Sequence, residues 1–390
     1  MSEKSAIVLV TTSFPISGDG SEAAGSFVSD LAEELANHLP VRVVAPGPQN
    51  AREKWTNGVD VFRYAAPEKP LSTLKPWHPT DFVKIIRILR SGKAATRTAV
   101  EAGTTIHIFA LWAIPSGVWA RQLSRSTGIP YSVWTLGSDI WTLGRLPLVR
   151  QYLWRVLRGA QSLYSDGLQL VKDTRRIAKR EVEFLPSTRR IASKRSAPLK
   201  GAPPYQLLFL GRWHPNKGID LLIDALYMLE NEDWRRIKSV EIYGGGPLDA
   251  LVKTGVRCLQ AAGRPVNLGG FLDKSQAERE MLYADWILIP SRIESIPLIF
   301  SDAMKASCPV VVTPVGDLRS LVTEGQCGKV SAGASSFDFC SALRQALSTS
   351  PLSLEAGVVN MAARFSLVQV ASKIADRLTE VQPGSFQGHD

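Results

Sequence analysis

The 390-residue sequence is poor in cysteine, with only Cys258, Cys308, Cys327 and Cys340. Their spacings of 50, 19 and 13 residues match neither a redox C-x-x-C nor a zinc-ligand pair, and four cysteines in so long a chain exclude a disulfide-stapled scaffold. The thiols are expected to be reduced, in a cytoplasmic setting. Long apolar runs are also missing. The longest candidates, AIVLV at 6–10 and WILIP at 286–290, fall far short of the roughly 18 residues that a membrane-spanning helix needs. The opening MSEKSAIVLVTTSFP lacks the apolar stretch and small-residue cleavage site of a signal peptide, so it is expected to form a first buried strand. No D-x-D sequence, a common metal-diphosphate signature, occurs anywhere.

What is present is the composition of an ordinary folded chain. Hydrophobic residues make up 45% and charged residues 21%, values that exclude disordered and collagenous classes. At roughly 100 to 200 residues per domain, the length predicts two domains. The net charge of +10 is unevenly placed: residues 1–200 hold 28 Lys and Arg against 16 Asp and Glu, while the remainder is slightly acidic. Such a half attracts anionic surfaces or phosphorylated ligands.

Hydrophobic patterning predicts two rounds of strand and helix alternation. In the first, AIVLVTT, a Gly-containing loop, the amphipathic SFVSDLAEELANHL and the strand VRVVAP make a βαβ unit, continued by strands near 106–110 and 131–135. The basic stretch IASKRSAPLKGAPP reads as a linker. After it, strands are expected at 205–211, 239–244, 265–270, 285–291 and 308–314, with four helices between them. The expected division is an N-terminal domain at 1–200, a second doubly wound domain at 201–365, and a helix with a frayed tail at 366–390 that can pack back on the first.

Open parallel sheets bind ligands at the carboxyl ends of their strands, so the loops there carry the functional expectations. GRWHPNKG places Arg212 and Lys217 five residues apart on one loop, either as a clamp for a diphosphate or as two solvated cations. In YGGGPL, Gly245 and its neighbours either let backbone N–H groups approach a ligand or simply make a tight turn. SRIESIPLIFSDAM puts Pro297 in the first turn of a helix capped by Ser295 or Ile296, with Glu294 just before it and Asp302 in its second turn.

GRWHPNKGIDLLIDAL, IYGGGPL, VNLGGFL, YADWILIPSRIESIPLIFSDAMKASCPVVVT and EGQCGKV, in that order, resemble the donor domain of retaining family 4 glycosyltransferases. The N-terminal SFPISGDGSEAAGSFVSDLA, IFALWAIPSGVWARQL and VWTLGSDIW resemble the family's acceptor-side segments more loosely. The resemblance implies an α/β GT-B fold, two doubly wound Rossmann-like domains facing a central cleft. It implies transfer of a sugar from a nucleotide-diphosphate sugar to an acceptor hydroxyl with retained configuration, with no cofactor and no metal.

By the same resemblance, Arg212 and Lys217 neutralise the leaving diphosphate and Glu294 contacts the donor sugar. Ser295, Ile296, Pro297 and Leu298 contact sugar or phosphate through their backbone, and Asp302 holds the ribose. Gly18, Gly20 and Gly245 approach the diphosphate, while Trp112 and Asp139 lie on the acceptor side. Several positions depart from the family pattern. Leu136 stands where a His is usual, Ser295 follows Glu294 in place of Gly, Asp302 is a shortened Glu, and LPST at 185–188 replaces an Asn-Gly. Those departures motivate the alternative of a non-catalytic partner protein that keeps the fold and perhaps donor binding.

Two stretches, WHPTDFVKIIRILRSGKAATR and PLVRQYLWRVLRGA, interleave aromatic and aliphatic residues with cations at helical spacing. They are either helices lying on an anionic membrane surface or ordinary helices packed on the sheet. With the basic first half they favour a glycan or polyprenyl-diphosphate-linked acceptor, in cell-surface glycan synthesis at the inner face of the cytoplasmic membrane. A nucleic-acid partner would account for the charge but not for the loops, and is not expected.

Overall fold

The computed structural model describes residues 5–16, 25–66, 74 and 78–379. They form two compact α/β units. The first contains the described residues up to Asp166, then Leu170–Leu185 and the helix Leu367–Thr379; the second contains Gly167–Gln169 and Pro186–Ser366.

In the first unit the buried run AIVLV forms β1 (Ala6–Val10), at the centre of an eight-stranded sheet. The others are β2 (Val41–Gly47), β3 (Ala51–Thr56), β4 (Val59–Ala65), β5 (Thr105–Leu111), β6 (Tyr131–Thr135), β7 (Leu163–Ser165) and β8 (Glu183–Phe184). Their order is β3-β4-β2-β1-β5-β6-β7-β8, and every pairing is parallel except the β3–β4 hairpin. That hairpin lies outside the expected alternation. The AREKWT segment of β3 is exposed along almost its whole length, so it carries an edge strand's charges and no apolar period. Phe109 packs edge-on to Trp134 and beside Tyr164, an aromatic core between sheet and helices.

The second unit has six parallel strands: β9 (Tyr205–Arg212), β10 (Ile237–Gly245), β11 (Val266–Gly269), β12 (Trp286–Ile289), β13 (Val310–Val312) and β14 (Gly328–Val330). Their order is β11-β10-β9-β12-β13-β14, which places the topological switch point between β9 and β12. Leu207, Phe209, Val240, Ile242, Trp286 and Leu288 bury the sheet against the helices Ile219–Tyr227 and Ser336–Leu347. The first five strands match the apolar runs of the sequence. β14, three partly exposed residues, carries too short a pattern to stand out.

The boundary between units falls at 185/186, not at 200/201. The basic segment after Leu185 packs into the second unit. Arg195 donates to the carbonyls of Met281, Ala284 and Ala306, and the Ala192 N–H donates to Glu278 at 3.1 Å. Its cations cap helix C-terminal carbonyls, which composition alone cannot distinguish from solvation in a linker. At the other end the helix Leu367–Thr379 belongs to the first unit, where Lys373 and Arg377 pair with Glu183 on β8.

Candidate active site

The site of the second unit is assembled from three loops that follow β9, β10 and β12. After β9, the chain turns at Gly218, whose φ of 67° is left-handed, and a side chain there would lie 1.9 Å from the Pro290 carbonyl oxygen. The two loops can therefore touch backbone to backbone. Arg292 fastens them: its guanidinium makes two 2.8 Å bonds to the Asp220 carboxylate and a third to the Pro215 carbonyl, and its N–H donates to Asn216 O. Burial alone would raise the Asp220 pKa, but the hydrogen bonds and charge of Arg292 outweigh it and hold the carboxyl below its usual range. After β10, Gly245 O accepts from Trp213 N–H and Trp213 O accepts from Leu248 N–H, so the third loop is bonded to the first.

On this frame Lys217 and Glu294 form an ion pair, with Lys217 Nζ donating to Glu294 Oε1. Ser291 Oγ donates to the same oxygen at 3.3 Å. Gly316, with φ 54°, lets its loop press on the backbone; a side chain there would fall 2.4 Å from the carbonyl oxygens of Glu294 and Ser295. Arg212, at the end of β9, is exposed and has no ion-pair or hydrogen-bond partner for its guanidinium among the described residues. The arrangement offers one free cation, one paired cation and a carboxylate at the switch point.

The helix after β12 starts one residue later than expected. Pro297 is itself the N-cap, with extended ψ of 140°, and the helix runs Leu298–Lys305 without a side-chain cap. Proline has no N–H and no capping side-chain oxygen; its carbonyl takes the Phe300 N–H at 2.9 Å, and no side chain caps the Leu298 and Ile299 N–H groups ahead of it. Ile296 and Pro297 are buried, while Ser295 and Leu298 are half-buried. Gly245 is buried as well: a side chain there would meet the Phe271 ring at 2.6 Å, and Phe271 itself is 72% exposed. The more open glycine of that turn is Gly246.

Asp302 does not stand open to a ribose. It is fully buried, with Arg189 Nε donating to its Oδ2 at 2.9 Å and Lys305 Nζ 3.9 Å from Oδ1. Lys305 in turn donates to Thr188 Oγ1 at 2.6 Å and to Arg189 O. Its side chain points into the fold, and Arg189, two residues before the stretch expected to be a linker, meets it there. Sequence reading missed Arg189, Arg292 and Gly316; nothing local marks a partner 113 residues away.

In the first unit Trp112 and Asp139 are brought together beyond the ends of the adjacent strands β5 and β6. Trp112 follows β5 with φ 67°, an unusual conformation for a large side chain, and packs edge-on to Phe27. Asp139 is buried: Oδ2 accepts from Ala113 N–H at 2.8 Å, and Oδ1 from Ile140 and Leu136 N–H at 3.1 and 3.3 Å. Burial pushes its pKa up to about 6 against those hydrogen bonds. As placed, Asp139 ties two turns together and leaves Trp112 as the side chain of the pair that reaches the surface. His107 is buried against Ser132 Oγ, and burial lowers its pKa to about 3. His214 accepts from Asn216 N–H on the Arg212 loop. Gly18 and Gly20 lie outside the described residues.

Of the two amphipathic helices, Pro147–Arg158 packs on the core through Leu153, Val156 and Leu157, with Arg158 stacked on Trp154. The helix Pro79–Glu101 buries Ile88 but leaves Phe82 and Val83 51% and 63% exposed beside Lys84, Arg87 and Arg90. Trp77 lies outside the described residues. Among the described residues no helix is long and apolar enough to cross a membrane, and no three His, Cys, Asp or Glu side chains gather into a metal-ligand set.

Residues 204–349 match the family model described as glycosyl transferases group 1. Among curated proteins the chain is 30% identical over 166 residues to a D-inositol 3-phosphate glycosyltransferase of Jonesia denitrificans, covering 41% of this chain and 39% of that one. It is 31% identical over 189 residues to its namesake from Geodermatophilus obscurus, covering 47% and 41%. The chain thus spans about two fifths of the length of these relatives. Among solved structures, sucrose-phosphate synthase from Thermosynechococcus elongatus superposes with a TM-score of 0.73 at 18% identity, covering 96% of this chain and 98% of that one. Anabaena HepE in complex with UDP gives 0.67 at 15%, covering 97% and 100%. At these identities the structural likeness speaks for the fold. Residues 204–349 thus match the glycosyl transferases group 1 family, and the chain has the GT-B fold of its structural neighbours.

Proposed function

We propose that the protein transfers a sugar from a nucleotide-diphosphate sugar to an acceptor hydroxyl, with retention of anomeric configuration and without a bound metal or other cofactor. The observation that carries this reading is the pairing of Lys217 with Glu294 at the switch point, beside unpaired Arg212 and an uncapped helix start. Arg212 and Lys217 supply the positive charge that the departing diphosphate requires, the role a divalent cation would otherwise take. Glu294 accepts hydrogen bonds from the donor sugar. The bond from the anomeric carbon to the diphosphate oxygen breaks and the bond to the acceptor oxygen forms on the same face. The acceptor proton passes to the leaving phosphate oxygen, so Leu136 in place of a His does not stop the reaction.

Solved neighbours include HepE with UDP and with UDP-glucose, which supports a uridine or related nucleotide donor. For the acceptor we favour a polyprenyl-diphosphate-linked sugar or other glycan precursor at an anionic membrane face. Exposed Phe82 and Val83 beside three cations support docking there, from a cytoplasmic location. The matched relatives are named for D-inositol 3-phosphate, so a small phosphorylated acceptor belongs in the same assay. The test is release of nucleoside diphosphate from a panel of sugar nucleotides with each acceptor class, and the anomeric configuration of the product by NMR. Turnover that yields the inverted anomer contradicts retention. Nucleotide binding without turnover on any acceptor favours the non-catalytic partner.

A further inference from the structure

Of the two cations assigned to the diphosphate, one is already neutralised. Lys217 is bonded to Glu294, whose side chain is 14% exposed against 36% for Lys217. The loops that carry them cannot drift apart, because Gly218 lies against Pro290 and Arg292 bridges to Asn216, Pro215 and Asp220. Glu294 is held in addition by buried Ser291 and by the close approach of Gly316 to its backbone. The flexible partner is the four-carbon stem of Lys217. An anion that takes Lys217 therefore leaves Glu294 in place, without its cation and next to a new negative charge. A shielded carboxylate in that state is costly unless other donors replace the ammonium.

An intact sugar nucleotide brings such donors, the hydroxyls of its sugar. A free nucleoside diphosphate lacks them, its remaining donors being the ribose hydroxyls and base on the other side of the diphosphate. Resting on the nucleotide-sugar reading of this site, we propose that Glu294 makes the site discriminate the intact donor from the spent diphosphate, through its exchange between Lys217 and the sugar hydroxyls. While the sugar is attached, Lys217 holds the diphosphate and the hydroxyls hold Glu294. Once the sugar has left, Glu294 recovers Lys217 and expels the nucleoside diphosphate. The residue thus sets donor specificity and speeds product release from the same pair.

Calorimetry on the full chain separates these statements. UDP, GDP and ADP are titrated alone and as their glucose, galactose, mannose and N-acetylglucosamine conjugates, into wild type, Glu294→Gln and Glu294→Asp. Melting curves check that the variants fold. Wild type is expected to bind one sugar nucleotide about tenfold tighter than its free nucleoside diphosphate. Glu294→Gln is expected to bind the free diphosphate about tenfold tighter than wild type does, while its sugar conjugate gains nothing, so that the preference collapses. Glu294→Asp, with the charge pulled back by one methylene, is expected to fall between. If wild type binds nucleotides but folded Glu294→Gln leaves the free diphosphate affinity unchanged, the exchange is wrong and the donor reading stands. If wild type binds no nucleotide in either form, the donor reading fails and the proposal falls with it.

Discussion

Arg189 holds Asp302. Two nitrogens of its guanidinium donate to one oxygen of a carboxylate that is wholly buried, and Arg189 itself is only 15% exposed. The helix Leu298–Lys305 is thereby tied to the basic segment that enters the second unit. The acidic residue that the family resemblance assigns to the ribose is paired inside the fold.

That relationship separates stability from binding. Asp302→Ala leaves a shielded guanidinium without its anion and is expected to cost about 3 to 5 kcal/mol in urea unfolding. Arg189→Met with Asp302→Leu, which removes both charges, is expected to recover most of that loss. In whichever variant remains folded, nucleotide affinity is expected to change less than about twofold, well under the tenfold that 1.4 kcal/mol represents. A large loss of affinity in the stable double variant would return Asp302 to the ribose.

Arg212 is expected to behave in the opposite way. It is exposed and has no side-chain partner among the described residues, so Arg212→Ala should leave the melting temperature within about a degree, as exposed substitutions generally do. Loss of its charge-assisted bonds to a diphosphate should cost about 1.5 to 3 kcal/mol, roughly 10- to 150-fold in nucleotide affinity. Arg212→Lys is expected to restore only part of it, because an ammonium cannot fork two phosphate oxygens.

Much of this site is legible in the chain before any coordinates. Arg212, Lys217, Glu294 and Pro297 are visible because each lies where an apolar strand gives way to glycine or proline, and strand ends are where parallel sheets place ligands. The β1, β9 and β12 runs are legible for the same reason: central strands of a parallel sheet are buried on both faces and read as unbroken hydrophobic segments. What the chain hides is pairing at a distance. Arg189 looks like one more solvated cation of a basic stretch until the fold brings Asp302 to it, and β3 looks like a charged loop until β4 hydrogen-bonds its backbone. Asp139 is an acceptor-side candidate only through the resemblance of VWTLGSDIW, and no local pattern shows that its oxygens are taken up by three backbone N–H groups.

Asp139 carries a pH signature. Its pKa is about 6 in the fold against 3.8 for the ordinary carboxyl, so the folded state binds the proton first. As pH falls from 7 to 5 the native protein takes up a proton that the unfolded chain does not, and stability rises. Relative to Asp139→Asn, wild type is expected to gain about 1 kcal/mol over that interval, measured by urea unfolding at both pH values. A difference that is flat with pH would mean that Asp139 does not carry the shift.

The membrane reading predicts a charge-selective interaction. Wild type is expected to sediment with vesicles containing anionic phospholipid and not with neutral ones, and to be released as salt screens the attraction. Phe82→Ser with Val83→Ser should reduce that binding without lowering the melting temperature, since both side chains are already in solvent. Equal sedimentation of the double variant would place the contact elsewhere.

The central claim is that the loops after β9 and β12 hold a nucleotide-diphosphate sugar. Calorimetry of the purified chain against UDP, GDP, ADP and their sugar conjugates, with and without Mg²⁺ and with Lys217→Ala as control, tests it most directly. The expected result is selective binding of one nucleotide, equal in the presence and absence of Mg²⁺ and lost in Lys217→Ala. Binding that Lys217→Ala leaves intact, or no binding to any of them, would contradict it.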